Sequence, residues 1–315
     1  MTIVTNTFLT YSAVGNREDL TDTIAMISPR ETPFFSRIGR AKAQAVTHEW
    51  QTDALAAATT ENAQLEGDDT SFSAVTATSR LNNTLQIARK DLIIAGTQEV
   101  VNKAGRKSEV AYQTAKRGLE LRRDMETIMT GNTTQVAASS AGATTARRMR
   151  PLCAWYSTNT SRGTSGANGS TTQFATDGTQ RAFTESQVKT VLQSVWTEGG
   201  DPNLIMVGAF NKTQFSTFTG NATRMDKSED KKVIATTDVY VSDFGEHQIV
   251  ANRFSRSRDC HIIDTEYWAT AFLRPIKSED LAKTGDAEKK HLLVEFTLVA
   301  KNQAASGIVA DLTTS

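Results

Sequence analysis

Four histidines and two cysteines are the side chains of this sequence best suited to metal binding or nucleophilic catalysis. The histidines are His48, His247, His261 and His291. No two of them have the sequence spacing that is usual for two ligands of one metal ion. Cys260 and His261 are adjacent, but successive strand side chains point to opposite faces, so both cannot bind one ion. We therefore predict that each histidine is a strand or surface residue, and that Cys153 and Cys260 are small core hydrophobes.

Motifs for nucleotide binding and acyl transfer are also missing. The sequence has no phosphate-binding loop, no glycine-rich dinucleotide fingerprint and no nucleophile elbow. Asp68 and Asp69 lie at a predicted turn, where aspartate is common for backbone reasons. Arg253, Arg256 and Arg258 could contact phosphate or an acidic partner, or could lie on a solvated loop. The sequence thus predicts no enzyme, no cofactor and no metal.

Composition excludes several broad classes. The 315 residues include 35 Lys and Arg against 35 Asp and Glu, and this balance argues against a free-standing nucleic-acid-binding domain. Two cysteines are too few for a disulfide scaffold or a structural zinc site. No apolar run approaches the roughly 20 residues that span a bilayer, and the first residues lack a secretory pattern. We expect a soluble protein made inside the cell.

Charge is distributed unevenly along the chain. Residues 43–79 have a formal charge of −6 and contain no Lys or Arg, whereas residues 80–150 have a formal charge of +7. Adjacent blocks of opposite sign suggest two surfaces that meet, either within one chain or between copies. Chance segregation on solvated faces is the alternative.

The acidic block reads as a long β-hairpin. Alternating runs at 46–51 and 85–88 flank a turn near 67–69. An isolated hairpin is at best marginally stable in water. Because this one has few large apolar residues in its middle, it needs a surface to lie on, such as another subunit.

A helix is predicted from Ser108, its N-cap, to Met129, with a stop at Gly131. Its apolar stripe consists largely of small residues, which predicts close packing against a sheet. Residues 131–182, rich in Thr, Ser, Gly and Ala, are predicted to be an ordered but loopy insertion.

Residues 183–273 read as a compact α/β unit. Thr184 begins a capping box for a helix, whose buried face is predicted to hold Val188, Val191, Leu192, Val195 and Trp196. A strand at 203–207, a second helix capped at Asn211 and strands at 238–242, 247–251 and 260–264 follow. Strands at 268–273, 291–300 and 304–309 close the chain. Since nothing local can cover 291–300, we predict that it pairs with residues near 85–95.

Three stretches resemble one known family. They are residues 17–35 (REDLTDTIAMISPRETPFF), 48–55 (HEWQTDAL) and 295–308 (EFTLVAKNQAASGI). The first two, in this order and spacing, are similar to the N-terminal signature of a family of tailed-bacteriophage major capsid proteins. The third resembles the closing strand and turn of that family. The resemblance spans nearly the whole chain and is weakest across 131–182.

That resemblance implies an α+β protein with the Hong-Kong-97-type capsid fold, which also occurs in encapsulin shells. The expected parts are an N-terminal arm (1–42), an extended loop formed by a β-hairpin (43–90), a peripheral domain (91–182) with a spine helix at about 108–130 and a loopy insertion, an axial domain (183–273), and return strands that complete the peripheral domain (274–315).

The resemblance also implies partners and a location. The chain is expected to assemble with copies of itself into hexamers and pentamers of an icosahedral shell. That shell would enclose double-stranded DNA without sequence-specific binding and without a membrane. A separate scaffolding protein, a portal and a cement or decoration protein are expected partners. The implied location is the virion capsid, after synthesis in the bacterial host cytoplasm.

We predict that the acidic hairpin docks on positive surface of a neighbouring copy. The candidate interface residues are Glu61, Glu66, Asp68 and Asp69 on one side and Arg122 and Arg123 on the other. In the type member of the fold a loop lysine forms a covalent bond with a neighbour's asparagine. Here residues 43–89 contain no lysine, so we expect a shell without such crosslinks. The alternatives are an encapsulin-like compartment shell and a phage fibre or adhesin-type binding module.

Overall fold

The computed structural model describes residues 27–67, 69, 72, 74–137, 145–218 and 239–315. Most of the expected N-terminal arm, residues 1–26, and Asp68 lie outside the described residues. The described helices are α1 (Pro33–Arg37), α2 (Gly96–Val100), α3 (Glu109–Thr130), α4 (Leu152–Trp155), α5 (Glu185–Thr197) and α6 (Ala209–Phe215). The described strands are β1 (Gly39–Lys42), β2 (Thr47–Thr52), β3 (Ser79–Thr84), β4 (Gln86–Ala95), β5 (Thr160–Ser161), β6 (Leu204–Val207), β7 (Val239–Ser242), β8 (Gly245–Ala251), β9 (Cys260–Ile263), β10 (Trp268–Asp280), β11 (Ala287–Ala300) and β12 (Gly307–Val309).

A four-stranded sheet has the order β1-β10-β11-β4. The long strand β11 pairs antiparallel with β4 from Ala287–Ala95 to Phe296–Gln86, which confirms the predicted long-range pairing. The last seven residues of β11 are all buried. A strand that is covered on both faces has a nearly continuous apolar sequence. The apolar run at 291–300 therefore required partners from distant parts of the chain.

Helix α3 packs on the four-stranded sheet, as predicted, but not through the predicted small-residue stripe, because Ala111 and Ala115 are exposed. The Ser108 hydroxyl accepts a hydrogen bond from the Ala111 N–H at 3.2 Å, which confirms the predicted N-cap. Leu121, Met125 and Met129 are fully buried in the cluster that also holds sheet residues such as Phe296. Gly118 faces Leu292 of the sheet, and a Cβ there would make an ordinary contact with Leu292 Cδ2 at 3.7 Å.

A six-stranded sheet has the order β5-β12-β9-β6-β8-β7. Helix α5 lies on it, with Val188, Leu192 and Val195 buried. Thr184 forms the predicted capping box with Gln187. Close contact between α5 and β12 needs Gly307, because a Cβ there would lie 2.4 Å from Val191 Cγ1.

Two details of this unit differ from prediction. Trp196, placed on the buried face of α5, is 59% exposed and packs instead against Phe244, with ring centroids 5.5 Å apart. The predicted cap Asn211 lies inside α6, where Gly208 is the N-cap. The Asn211 side chain is buried and donates to Ser257 O at 2.8 Å, so tertiary contacts override the capping pattern.

Three strands belong to a different sheet from the one that the predicted domain boundaries imply. Strand β12 (within 274–315) and strand β5 (within 91–182) join the six-stranded sheet, not the four-stranded one. The chain leaves β11 through a 3₁₀ turn, Gln303–Ala305, capped by Asn302, and this turn redirects β12. Strand β10, which begins within 183–273, pairs along its length with β11 and so belongs to the four-stranded sheet.

The acidic hairpin is regular only at its base. Strands β2 and β3 pair from Thr47–Thr84 to Thr52–Ser79. The run at 85–88, predicted as the returning hairpin strand, begins β4 instead. Leu85 ends the hairpin: its side chain is fully buried and its N–H donates to Val46 O at 2.9 Å. None of the described residues between 53 and 78 is in a strand.

Candidate subunit interface

Residues 53–78, here called the extended segment, contact almost nothing of their own chain. Every described residue in it is exposed. Its four large apolar side chains show between 80% and 99% of their surface (Leu55, Leu65, Phe72 and Val75). Burying such a side chain stabilises a protein by about 1.5–3 kcal/mol. That stabilisation is not realised within one chain, and exposed apolar groups of this kind mark interaction surfaces.

Hydrogen bonds of the segment are local. Among the described residues, Ala54 N–H donates to Asp53, Glu61 N–H donates to the Thr59 hydroxyl, and the Thr78 hydroxyl donates to Gln51 at the hairpin base. No hydrogen bond in this set reaches the body of the subunit. The segment is therefore held only at its two ends.

Those ends are held firmly. Trp50 of β2 donates from Nε1 to Ala300 O at 2.8 Å, and its ring packs on Trp155 with centroids 5.6 Å apart. Asn83 of β3 is fully buried. Its amide donates to Leu298 O at 2.7 Å, and its Oδ1 accepts from Arg150 N at 2.8 Å. A buried, satisfied polar network of this kind fixes orientation, so the segment projects from a defined base.

The predicted interface residues are exposed on the acidic side. Glu61, Glu66 and Asp69 are exposed and, within the described part of the chain, take part in no ion pair. Asp68 lies outside the described residues. Their side chains therefore remain available to a positive partner.

On the basic side, Arg122 and Arg123 differ. Arg122 is exposed on α3, whereas Arg123 is half-buried with its guanidinium 5.1 Å from the Phe254 ring centroid. Neither is ion-paired among the residues described, and no ion pair there joins them to the extended segment of the same chain. Arg122 is therefore the more accessible of the two.

Part of the basic block is neutralised internally. Lys90 pairs with Asp124 at 2.7 Å and Arg117 with Glu120 at 2.6 Å, while Arg147 pairs with Glu295. Lys107 and Lys116 remain exposed and, in the described ranges, unpaired. The positive surface open to a partner is thus smaller than the formal charge of residues 80–150 suggests.

A groove of about 730 Å³ lies beside β4, an edge strand of the four-stranded sheet. Its lining combines apolar Ile93 and Leu281 with the polar side chains of Gln113, Arg117 and Lys289. Ile93 is 64% exposed. An edge strand with exposed apolar side chains is a surface that natural proteins normally cover.

Of the three arginines at 253–258, Arg253 is exposed on the loop, as one of the two alternatives had it, whereas Arg256 and Arg258 have neither predicted role. Arg256 pairs with Asp177 at 2.6 Å and with buried Asp259 at 3.1 Å. Arg258 pairs with Asp177 at 3.1 Å and with buried Asp311 at 2.8 Å. These two guanidinium groups form internal ion pairs that join distant parts of the chain, because Asp177 and Asp311 lie far from them in sequence.

Cys153, Asp259 and His261 form a buried cluster that the sequence analysis missed. Their candidate ligand atoms all lie within 4.8 Å of one another. Burial lowers the pKa of His261 to about 3, helped by Arg256 and Arg162, so the imidazole is neutral. Burial and the charge of Asp259 raise the pKa of the Cys153 thiol. Both cysteines are buried, as predicted. No spacing rule links residue 153 to residues 259 and 261, so only the fold could reveal this group.

Comparison with known proteins identifies the family of this chain. Residues 3–313 match the family described as SU10 major capsid protein. The chain belongs to that family. A curated relative, the major capsid protein of Escherichia phage Phieco32, is 26% identical over 337 residues and is covered to 96%, as is this chain. This family membership confirms the resemblance drawn from residues 17–35, 48–55 and 295–308.

Solved structures agree on the fold. The capsid of cyanophage A-1(L) has a TM-score of 0.64 at 14% identity, covering 98% of this chain and 99% of that one. A structure of the major capsid and decoration proteins of phage G has a TM-score of 0.51 at 11% identity, covering 99% of this chain and 100% of that one. The chain has the mixed helix-and-sheet fold of phage capsids. In the part of the chain described, no helix is both long and apolar enough to cross a membrane.

Proposed function

We propose that this capsid protein closes into its icosahedral shell by laying the extended segment of each subunit onto a neighbouring copy, within hexamers and pentamers. As a member of its family it is a virion structural protein of a tailed phage. The observation that carries the proposal is the complete exposure of the described part of residues 53–78 on a firmly anchored base. Its role is structural rather than enzymatic, and the shell encloses double-stranded DNA through contacts that do not read sequence.

Shell physics favours this arrangement. A closed lattice sums many individually weak contacts, so no single strong interface is needed. Covering four apolar side chains per copy at about 1.5–3 kcal/mol each would contribute roughly 6–12 kcal/mol before ordering entropy is subtracted. Because the segment gains this stabilisation only in contact with another copy, it stabilises the assembled shell rather than the folded monomer.

The receiving surface we propose lies on the α3 and β4 side of the neighbour. The groove there offers Ile93 and Leu281 to apolar side chains, and Lys289 to carboxylates. Exposed Arg122 lies on the same helix. A segment with formal charge −6 over residues 43–79 complements such a lining.

Partners beyond the shell are also part of the proposal. A structure similar to this chain contains decoration proteins beside its major capsid proteins. By analogy we propose a separate scaffolding protein during assembly, a portal, and a cement or decoration protein on the finished shell. Synthesis takes place in the bacterial host cytoplasm, where all of these components meet.

Electron microscopy tests the function directly. The chain, overexpressed alone and with a scaffolding protein encoded by the same phage, is expected to form closed, regular shells visible by negative stain. Packaged particles are expected to hold DNA, whereas a protein cargo would favour an encapsulin-like compartment. Only monomers or irregular aggregates under both conditions would contradict the proposal.

The same shells test how the copies are joined. Residues 43–89 contain no lysine, and Lys90 at the hairpin base is paired with Asp124. Shells boiled in detergent are therefore expected to run as one band at the chain mass of 34.3 kDa. Bands at multiples of the chain mass would show that covalent bonds join the subunits and would contradict the prediction.

Charge reversal tests the electrostatic part of docking. Because an exposed pair contributes about 0–1 kcal/mol, the double variant Asp68→Lys/Asp69→Lys is expected to lower shell yield by several-fold rather than abolish it. The loss is expected to shrink at high salt, where exposed charges are screened. Yield is measured by sedimentation of assembled particles over a salt series.

Two further variants separate charge pairing from other effects. Glu198→Lys, at an exposed acid that ends α5, is the matched control and is expected to leave yield unchanged. Adding Arg122→Glu to the double variant is expected to restore part of the yield. If Asp68→Lys/Asp69→Lys assembles like the parent at low salt, the electrostatic contribution is removed from the account.

A further inference from the structure

Strand geometry brings two of the three clustered side chains to one face. His261 lies in β9, and Asp259 immediately precedes that strand. Residues two apart share a face, so Asp259 and His261 point the same way while Cys260 points to the opposite side. Cys153 approaches from α4, and the three candidate ligand atoms lie within 4.8 Å of one another.

Polar atoms in this cluster lack the partners that burial demands. Both ring nitrogens of His261 and Oδ1 of Asp259 are buried without a hydrogen bond among the described residues. His261 is fully buried and Asp259 is 1% exposed. Native proteins satisfy nearly all buried polar groups, because each orphan costs about 1–3 kcal/mol. Three orphaned atoms beside a thiol indicate a missing ligand with several open coordination positions.

We propose that Cys153, Asp259 and His261 bind one structural zinc ion inside each subunit. Thiolate, imidazole and carboxylate are the donors that zinc takes in proteins, and three such ligands leave one tetrahedral position for a water molecule. Tetrahedral coordination with bonds of about 2.0–2.3 Å places ligand atoms roughly 3.3–3.8 Å apart. Cys153 Sγ and Asp259 Oδ2 already lie 3.6 Å apart, which is within this range.

Charges around the site balance when it is filled. One doubly charged cation with a thiolate, a carboxylate and a neutral imidazole has no net charge. Arg256, which contacts Asp259 at 3.1 Å, retains Asp177 as a second carboxylate at 2.6 Å. The ring of Tyr156 stacks on His261 with centroids 5.9 Å apart and closes one side of the site.

The position of the ion gives it a mechanical role. Helix α4 carries Cys153 and packs against α3, which lies on the four-stranded sheet. Strand β9 is a central strand of the six-stranded sheet. A zinc ion here ties the two sheets together within one subunit. This role is independent of how subunits dock, so the test below does not depend on shell assembly.

Metal analysis of the full-length chain tests the proposal. Protein purified without chelators is expected to contain about one zinc ion per chain by mass spectrometry of the metal. Cys153→Ser and His261→Gln are each expected to lower that content at least about tenfold. Cys260→Ser, the matched control on the other face of β9, is expected to keep the ion.

Cobalt substitution keeps the test independent of whether those variants fold. Chelated parent protein given Co²⁺ is expected to show the charge-transfer absorption of a thiolate–cobalt bond, and to recover the thermal midpoint that chelation lowers. Cys260→Ser is expected to do the same. If the parent binds neither zinc nor cobalt, or if His261→Gln and Cys153→Ser bind as much metal as the parent, the proposal fails.

Discussion

Replacing residues 53–78 by a short turn is expected to abolish shell formation while leaving the subunit folded. Thr52 and Ser79 are paired directly across β2 and β3, so a linker of about four residues can close the hairpin. The segment removed makes, in its described part, no hydrogen bond with the body of the subunit. Its loss therefore has little effect on the free energy of unfolding of the monomer.

Assembly should respond very differently. The shortened variant lacks all four exposed apolar side chains and most of the acidic block, and so loses roughly 6–12 kcal/mol of potential contact per copy. Sedimentation and negative stain with co-expressed scaffold measure the particles, and thermal unfolding measures the subunit. Regular shells formed by the shortened variant at parental yield would refute the role of the segment.

A matched variant separates contact chemistry from segment length. Leu65→Ser, Phe72→Ser and Val75→Ser together keep the length and every charge but remove three apolar contacts. We expect this triple variant to assemble at least tenfold less well than the parent, and less well than the charge-reversed double variant. That ranking follows because apolar burial outweighs exposed ion pairs.

Much of the fold could be predicted because local and long-range signals agreed. The Ser108 cap predicted the start of α3, and the recurrence of Leu121, Met125 and Met129 on one face predicted its packing on a sheet. The apolar run at 291–300 required cover on both faces and so predicted pairing with residues near 85–95. In each case the apolar residues had to be buried, and only one part of the chain could cover them.

Other features depended on tertiary context that no pattern contains. Trp196 fits the buried face of α5 by spacing, but it lies near the helix end and packs on Phe244 at the surface. Strand β12 has the composition of either sheet, and only the turn at Gln303–Ala305 decides between them. The need of the hairpin for a supporting surface was predicted from its shortage of large apolar residues. The full exposure of the described part of residues 53–78 became evident only in the structure.

Glu126 is a buried carboxylate on α3 that holds the start of the described chain. It is fully buried and accepts hydrogen bonds from Phe34 N at 2.9 Å, Phe35 N at 2.8 Å and Asn252 Nδ2 at 2.6 Å. The two backbone donors lie in the first turn of α1, which is part of the expected N-terminal arm (1–42). One side chain thus joins α1, α3 and the loop after β8.

Removing this acceptor is expected to destabilise the subunit strongly. Glu126→Ala leaves three buried donors unpaired at about 1–3 kcal/mol each, so we expect a loss of about 4 kcal/mol in the free energy of unfolding. Glu126→Gln keeps one acceptor but turns an amide N–H₂ toward a backbone donor, with an expected loss of about 2 kcal/mol. Glu120→Ala is the control, because Glu120 lies on the same helix and is paired with Arg117 near the surface. We expect it to lower the free energy of unfolding by at most about 1 kcal/mol.

The pH dependence distinguishes the carboxylate from its amide. Burial raises the pKa of Glu126 above its usual value of 4.5, although its three hydrogen bonds oppose the shift. The folded state then holds the proton more tightly than the unfolded state, so this group's contribution is full below 4.5 and is lost as pH rises through the raised pKa. The stability advantage of the parent over Glu126→Gln is therefore expected to fall as pH rises through that window, as measured by urea unfolding. An advantage that instead grows with pH would mean that the native carboxyl group is more acidic than the unfolded one, and that its hydrogen bonds outweigh its burial.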